Sequence, residues 1–304
     1  MTVKSIHHSP RQKIRQPLGS RIFDVIIYVV LILVGLLCLM PFLHVVAMSL
    51  SSNGAVISQR VFFLPVEFSL EGYNMVIQDP SMMRSLGITV GVTLAFTALG
   101  MILSILAAYP LTKKELKGRS VIAFMFMFTM YFSGGLIPDY LLMNDLKILN
   151  TVWSLILPLT FSAYNIIILR SFIQSSIPDS LEEAAFLDGA NYWDVLFRVV
   201  LPLSKPVLAT LCLFFAVGRW NAYADNKYYI TKEALKMIQY KLYQLVASAT
   251  EAQTATLSEA IEVTSTPEVL QAACIMFATI PIICIYPFLQ KYFVKGVMVG
   301  AVKG

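Results

Sequence analysis

The sequence predicts an all-α membrane protein: six transmembrane helices, N and C termini cytoplasmic, and a cytoplasmic helical hairpin between helices 4 and 5. Three observations carry that expectation. Of the 304 residues, 57% are hydrophobic and only 13% charged, whereas a soluble domain carries ~25% charged residues. Apolar runs recur at lengths near the ~20 residues that cross ~30 Å of hydrocarbon. Lysine and arginine gather in alternate connections, as the preference for positive charge on the cytoplasmic side requires. A chain so poor in charge cannot cover itself in water. Disordered chains, secreted disulfide scaffolds and soluble nucleic-acid binders fit this composition poorly, and no nucleic-acid partner is expected.

The first run extends from about Val25 to Met48. It is longer than a signal-peptide core and lacks a small-residue cleavage pattern, so it is expected to stay as an anchor. The second covers about Leu86 to Leu111, the third Val121 to Pro138 and the fourth Thr151 to Leu169. A shorter fifth lies between Pro206 and Trp220, where Lys205 and Arg219 can snorkel from its ends. The sixth covers about Val269 to Leu289.

Flanking charge orients these spans. Residues 1–21 form a cytoplasmic N-terminal segment holding Lys4, Arg11, Lys13, Arg15 and Arg21. Lys113, Lys114, Lys117 and Arg119 follow the second span, and the cytoplasmic tail 291–304 holds Lys291, Lys295 and Lys303. The alternate loops carry less: Arg60 and Arg84, then Lys147. One loop breaks the pattern, since Lys227, Lys232, Lys236 and Lys241 fall on the predicted outer side, interspersed with Asp225 and Glu233. The six-helix domain is thus residues 22–290, with an inner loop 174–202 and an outer loop 224–267. Within the outer loop, Leu235, Ile238, Leu242, Leu245 and Val246 share one face of an amphipathic helix over 231–249. A looser connector follows up to Thr266-Pro267. The first outer loop, Ser51 to Met83, contains Phe62-Phe63-Leu64-Pro65, expected to pack on the rim.

The inner loop is a polar island between two membrane runs. Pro178 suits a first helical turn, with Asp179, Glu182 and Glu183 near its positive end. Leu181, Ala184 and Ala185 fall on one face, and Gly189 can take the left-handed conformation that closes a helix. Asn191 can cap a second short helix lined by Val195, Leu196, Val199 and Val200 and limited by Pro202. A rigid knob with Glu182, Glu183 and Asp188 on its surface could enter a cleft on another protein; a plain connecting loop is the competing reading.

Glu183-Ala184-Ala185, three residues, Gly189, nine residues, then Val199-Val200-Leu201-Pro202 resembles the EAA signature of ATP-binding cassette importer permeases, with Val199 where isoleucine is usual. Asp188-Gly189-Ala190 and Trp220-Asn221 are similar to the carbohydrate-uptake (maltose-type, binding-protein-dependent) branch, and the tail Tyr286 to Gly304 is similar to its subgroup for complex oligosaccharides. The resemblance covers nearly the whole chain from about Arg21. It implies a multi-pass permease in a prokaryotic cell membrane, forming half of the pathway for a sugar or oligosaccharide. The inner hairpin would be a coupling helix acting through Glu182, Glu183, Ala184, Ala185, Asp188, Gly189, Leu201 and Pro202. Implied partners are a second homologous permease, two ATP-binding cassette ATPase subunits, an extracytoplasmic solute-binding protein and membrane lipid. The tail Val297 to Gly304 would also reach the ATPase.

The chain supplies no energy source of its own. It has no phosphate-binding Gly-x-x-x-x-Gly-Lys-[Ser/Thr] loop, so ATP and magnesium are expected on the partner ATPase and no catalytic residue here. Its span centres lack the Asp or Glu that ion-coupled carriers use. Cys38, Cys212, Cys274 and Cys284 sit in apolar runs without a Cys/His cluster, so no metal or cofactor site is expected. An ion-coupled secondary carrier and a non-transporting membrane receptor or scaffold are the alternatives. For solute contacts, Tyr164, Asn165, Arg219, Trp220, Asn221 and Tyr223 offer the aromatic, amide and charged groups that hold sugars. The same residues could form an interfacial aromatic belt. Arg219 could meet an acidic sugar or snorkel outward, and His44 reads as a packed or interfacial histidine.

Overall fold

A computed structural model describes residues 18–256 and 268–301. Residues 1–17, 257–267 (including the connector up to Thr266-Pro267) and 302–304 lie outside the described residues, as do the side chains of residues 18, 249–256, 286 and those beyond Pro287. The described chain is helical, with one isolated antiparallel bridge between Ser51 and Phe68. In order the helices are α1 Leu18–Ser49, α2 Asn53–Ile57, α3 Glu71–Gln78, α4 Pro80–Ala108, α5 Arg119–Tyr131, α6 Leu136–Asp145, α7 Trp153–Ile156 and α8 Ala163–Ser176. There follow α9 Asp179–Leu187, α10 Tyr192–Val195, α11 Leu201–Leu203, α12 Lys205–Asn221, α13 Ala224–Tyr229, α14 Ile238–Thr256 and α15 Glu268–Ala301.

Among the described residues three helices are long and apolar enough to cross a bilayer: Gly19–Ser49, Pro80–Thr112 and Glu268–Ile285. Two bent pairs raise the number to five: α5 with α6, turned by 113°, and Tyr192–Leu203 with α12, turned by 81°. By length and composition the described residues thus hold three to five spans of the six expected. The third predicted run, Val121 to Pro138, stops at Tyr131, because Ser133, Gly134 and Gly135 interrupt it and Gly135 takes φ +88°. The fourth, Thr151 to Leu169, divides into α7 and α8, with Leu159 at φ +63° between them and the Ser162 hydroxyl capping α8. Hydropathy counts apolar residues, but a helix also needs its backbone hydrogen bonds uninterrupted.

The scaffold is the crossing of α4 and α12. At Gly100 an added Cβ would lie 2.7 Å from the Phe215 ring, so only glycine admits this approach. Phe215 also meets Phe96 edge-to-face at 5.9 Å. Lipid tails are as apolar as leucine, so close packing of this kind, rather than exclusion from water, holds such helices together. α15 lies along α1, α3 and α12. With 29 residues, α4 spans about 43 Å at ~1.5 Å per residue. The molecule therefore has two well-separated ends.

The remaining expectations divide. The predicted helix over 231–249 starts later, at Ile238, after a short 3-10 turn at Glu233–Leu235. Phe62, Phe63 and Leu64 are exposed instead of packed, because their segment leaves the core at the two left-handed residues Gln59 and Glu67. The His44 ring Nδ1–H donates to the Phe62 carbonyl at 2.7 Å, an interfacial tie.

Candidate functional site

The hairpin at the C-terminal end of α4 is built residue by residue from capping chemistry. Pro178 stands at the N-cap of α9 with Asp179 and Glu182 in the first turn, where carboxylates complement the exposed backbone N–H groups. Gly189 closes α9 at φ +85°, donating its N–H to the Phe186 carbonyl at 3.0 Å. The Asn191 side-chain oxygen accepts from the N–H groups of Trp193 and Asp194 at 2.9 and 3.0 Å. Asp194 accepts the Asn191 N–H in return, completing a capping box. Pro202 does not end this second helix: the chain runs through a π-type turn, Leu196–Val200, into α11. Proline in the first turn of α11 needs no N–H to donate, so the bend is deferred to Ser204.

The two arms differ in burial. Val195, Leu196 and Val200 are buried in one cluster with Ala108, Leu111, Ile173 and Ile177, which roots the second arm in α4 and α8. α9, by contrast, has no buried residue. Glu183, Ala184, Asp188 and Gly189 are exposed and Leu187 is 89% exposed, while Ala185 is half-buried against the cluster. The alanine pair is thus split, one facing out and one in. Leu201 is half-buried and Pro202 exposed on the second arm.

Sequence reading missed what clamps α9. Lys113 pairs with Glu182, and Lys114 with Asp179 at 3.0 Å. Both Lys113 and Glu182 are largely buried, at 17% and 13% side-chain exposure, and the Lys113 ammonium lies 4.3 Å from the centre of the Tyr109 ring. Burial pulls the Lys113 ammonium below its usual value, with Asp179 and Glu115 opposing. The hydrogen bond from Lys114 holds the Asp179 carboxyl below the usual carboxylate range. Between these partners lies a cleft of about 560 Å³ lined by Lys113, Lys114, Asp179, Glu182 and Glu183. The lysines had been legible only as markers of orientation. Basic residues opposite an acidic first turn were the available signal, but their meeting needs the fold.

At the other end of α4 and α12, the remaining residues separate into buried and exposed groups. Arg219 is 2% exposed and donates to Asp225 at 2.6 Å, with its guanidinium 5.4 Å from the Phe96 ring centre. It therefore does not snorkel outward; a carboxylate six residues on gives it an internal partner. Trp220 is buried and its indole N–H donates to the Ala278 carbonyl at 3.1 Å, joining α12 to α15. Asn165 is buried on α8 and Tyr164 beside it is exposed. Asn221 is exposed and accepts from the Gln239 amide at 3.4 Å, while Tyr223 stacks on Tyr243 with centroids 5.0 Å apart. Among the described residues no group of three His, Cys, Asp or Glu could hold a metal ion.

Comparisons place this architecture among known proteins. The chain is 42% identical to the polygalacturonan/rhamnogalacturonan transport system permease protein YtcP of Bacillus subtilis (strain 168), over 94% of this chain and 99% of that one. It is 39% identical to protein LplC of the same organism, over 94% and 96%. Among solved structures it is similar to a bacterial ABC transporter involved in the import of the acidic polysaccharide alginate. There the TM-score is 0.81 and identity 34%, covering 91% of this chain and 99% of that one. The model of the family described as "Binding-protein-dependent transport system inner membrane component" matches residues 116–299, more than half of the sequence, and the chain belongs to that family.

Proposed function

We propose that this chain is the permease half of an ATP-driven oligosaccharide importer in a prokaryotic cell membrane, and that α9 is the coupling helix through which an ATPase moves it. One observation carries the reading: α9 keeps an exposed outer face, while two ion pairs tie its first turn to Lys113 and Lys114 just after α4 and the second arm of the hairpin is rooted in the buried cluster shared with α4 and α8. A helix exposed on its outer face and fixed on its inner one can take a push and deliver it to the spans. Glu183, Ala184 and Leu187 are the exposed residues that would enter an ATPase groove. The ATPase dimer supplies ATP and magnesium chemistry; a second permease closes the pathway, and an extracytoplasmic binding protein delivers solute. In this orientation the termini and hairpin are cytoplasmic and α13 and α14 face outward. The similarity to polysaccharide permeases supports an oligosaccharide as solute. The similarity to binding-protein-dependent permeases disfavours an ion-coupled carrier or a scaffold.

The test is uptake and co-purification in variants that leave the spans intact. Glu183→Lys reverses an exposed charge. Gly189→Val puts a β-branched residue at φ +85°, at roughly 1–2 kcal/mol of local strain. Both should insert normally, lose at least ~10-fold in uptake and release the ATPase on purification. Undiminished uptake in both would remove the coupling assignment.

A further inference from the structure

Three of the four lysines that broke the orientation pattern, Lys227, Lys236 and Lys241, have their side chains in one connected set of contacts. Residues 219–244 hold five cations against two carboxylates, a formal excess of three positive charges at the end of the molecule away from the hairpin. That surface is tied firmly to the spans. Asn226, fully buried, donates to the Leu235 carbonyl at 3.1 Å and accepts from the Met237 N–H at 3.3 Å. The Asn150 side chain accepts from the N–H groups of Thr231 and Lys232 at 2.6 and 3.2 Å. The Thr89 hydroxyl on α4 accepts the Ile238 N–H at 2.9 Å. These ties fix the start of α14 against α4.

On this base Tyr223, Tyr243 and Tyr240 form a ladder of near-parallel rings, with successive centroids 5.0 and 6.2 Å apart. Tyr223, Tyr228 and Tyr243 remain 43%, 42% and 38% exposed. Lys236 and Lys241 share the Glu233 carboxylate, at 2.6 and 2.7 Å. Lys227 differs from them. It is exposed, has no carboxylate partner among the described residues, and donates to the Tyr243 hydroxyl at 3.1 Å while lying 4.9 Å from that ring's centre. Beside it stand the amides of Asn221 and Gln239.

We propose that this tyrosine–lysine surface is a binding site for an anionic, uronate-type oligosaccharide. The chemistry matches part by part. Exposed aromatic rings take the C–H face of a pyranose ring. The amides exchange hydrogen bonds with hydroxyls, and the Lys227 ammonium, which has no carboxylate partner among the described residues, meets one from the sugar. Rigid anchoring by Asn226, Asn150 and Thr89 keeps the rings in place before the sugar arrives, which lowers the entropic cost of binding. The proposal rests on the importer reading, in which this end faces outward, and gives the excess of lysines there a purpose.

The test uses the full chain in lipid nanodiscs, purified with its partner subunits but without solute-binding protein, titrated with trigalacturonate and with neutral maltotriose. Trigalacturonate should bind more tightly than maltotriose, and its affinity should fall as salt rises. Lys227→Gln, which keeps every ring, should weaken trigalacturonate about tenfold or more. Tyr223→Ala should weaken both sugars. Equal binding of the two sugars, an unchanged affinity in Lys227→Gln, or no binding at low salt would each overturn the proposal. ATPase activity in the same preparation reports on the importer reading separately, so the two can fail independently.

Discussion

The two ends of the α4–α12 scaffold are fastened by different chemistry. At the hairpin end the long-range ties are ionic: Lys113 to Glu182 across 69 residues and Lys114 to Asp179 across 65. At the opposite end the ion pairs are local, Lys236 and Lys241 with Glu233, and neutral hydrogen bonds do most of the long-range fixing. Thr231 reaches Asn150 across 81 residues and Ile238 reaches Thr89 across 149. Ion pairs tolerate small shifts in geometry, whereas hydrogen bonds to backbone are directional and hold a shape. The hairpin is thus clamped to the chain after α4 mainly by charge, and the opposite surface is fixed mainly by amides and hydroxyls.

The largest expected effect probes the one ion pair at the far end that is buried. Asp225→Asn leaves Arg219 without its counter-charge at 2% exposure, and stranding a buried charge costs about 3–5 kcal/mol. Thermal unfolding in lipid-supplemented detergent should show a drop far larger than for any hairpin variant. A small drop would mean that water or lipid reaches the guanidinium, and that the two ends are less different than their burial suggests.

A charge swap sharpens the contrast at the hairpin. Lys113→Glu and Glu182→Lys should each cut uptake strongly with little loss of insertion. The double swap should recover most of it, since contacting pairs couple by about 0.5–3 kcal/mol. Failure of the double variant to recover would show that Lys113 acts through the Tyr109 ring rather than through Glu182.

The smallest effect is in pH. Glu233 is held below the usual carboxylate range by the hydrogen bonds from Lys236 and Lys241, and Asp179 by that from Lys114. A depressed native value means the stabilisation is complete above the unfolded-state value and is lost as pH falls through the native one. Uptake and melting should be flat from neutral pH down to about 5 and then decline. Because both carboxylates are exposed, the decline should shrink in high salt. A decline already near pH 6 would point to another titrating group.

How much of this was legible follows from what each signal measures. Composition and apolar run length set the class and the long helices α1, α4 and α15, because membrane solvation depends on local sequence alone. Capping chemistry was equally local, so Gly189 and Asn191 could be read directly as the joints of the hairpin. The EAA pattern identified the family for the same reason. The breaks after Tyr131 and between α7 and α8 were not legible from mean hydropathy, since both runs carry no charge and their breakers, Ser133-Gly134-Gly135 and Pro158, are outweighed by the apolar residues around them.

The sequence by itself therefore determined the membrane class, the two capped joints of the hairpin at Gly189 and Asn191, and the placement of an excess of lysines in one connection. Tertiary structure alone decided which charges meet. Lys113 was an orientation marker until the fold set it on Glu182, Arg219 was a snorkelling candidate until Asp225 covered it, and Lys227 was an exception until Tyr243 received it. The physical reason is range. Solvation and capping act within a few residues, whereas an ion pair or a ring stack acts over a few ångströms of space, and only folding makes residues 69 apart in sequence neighbours.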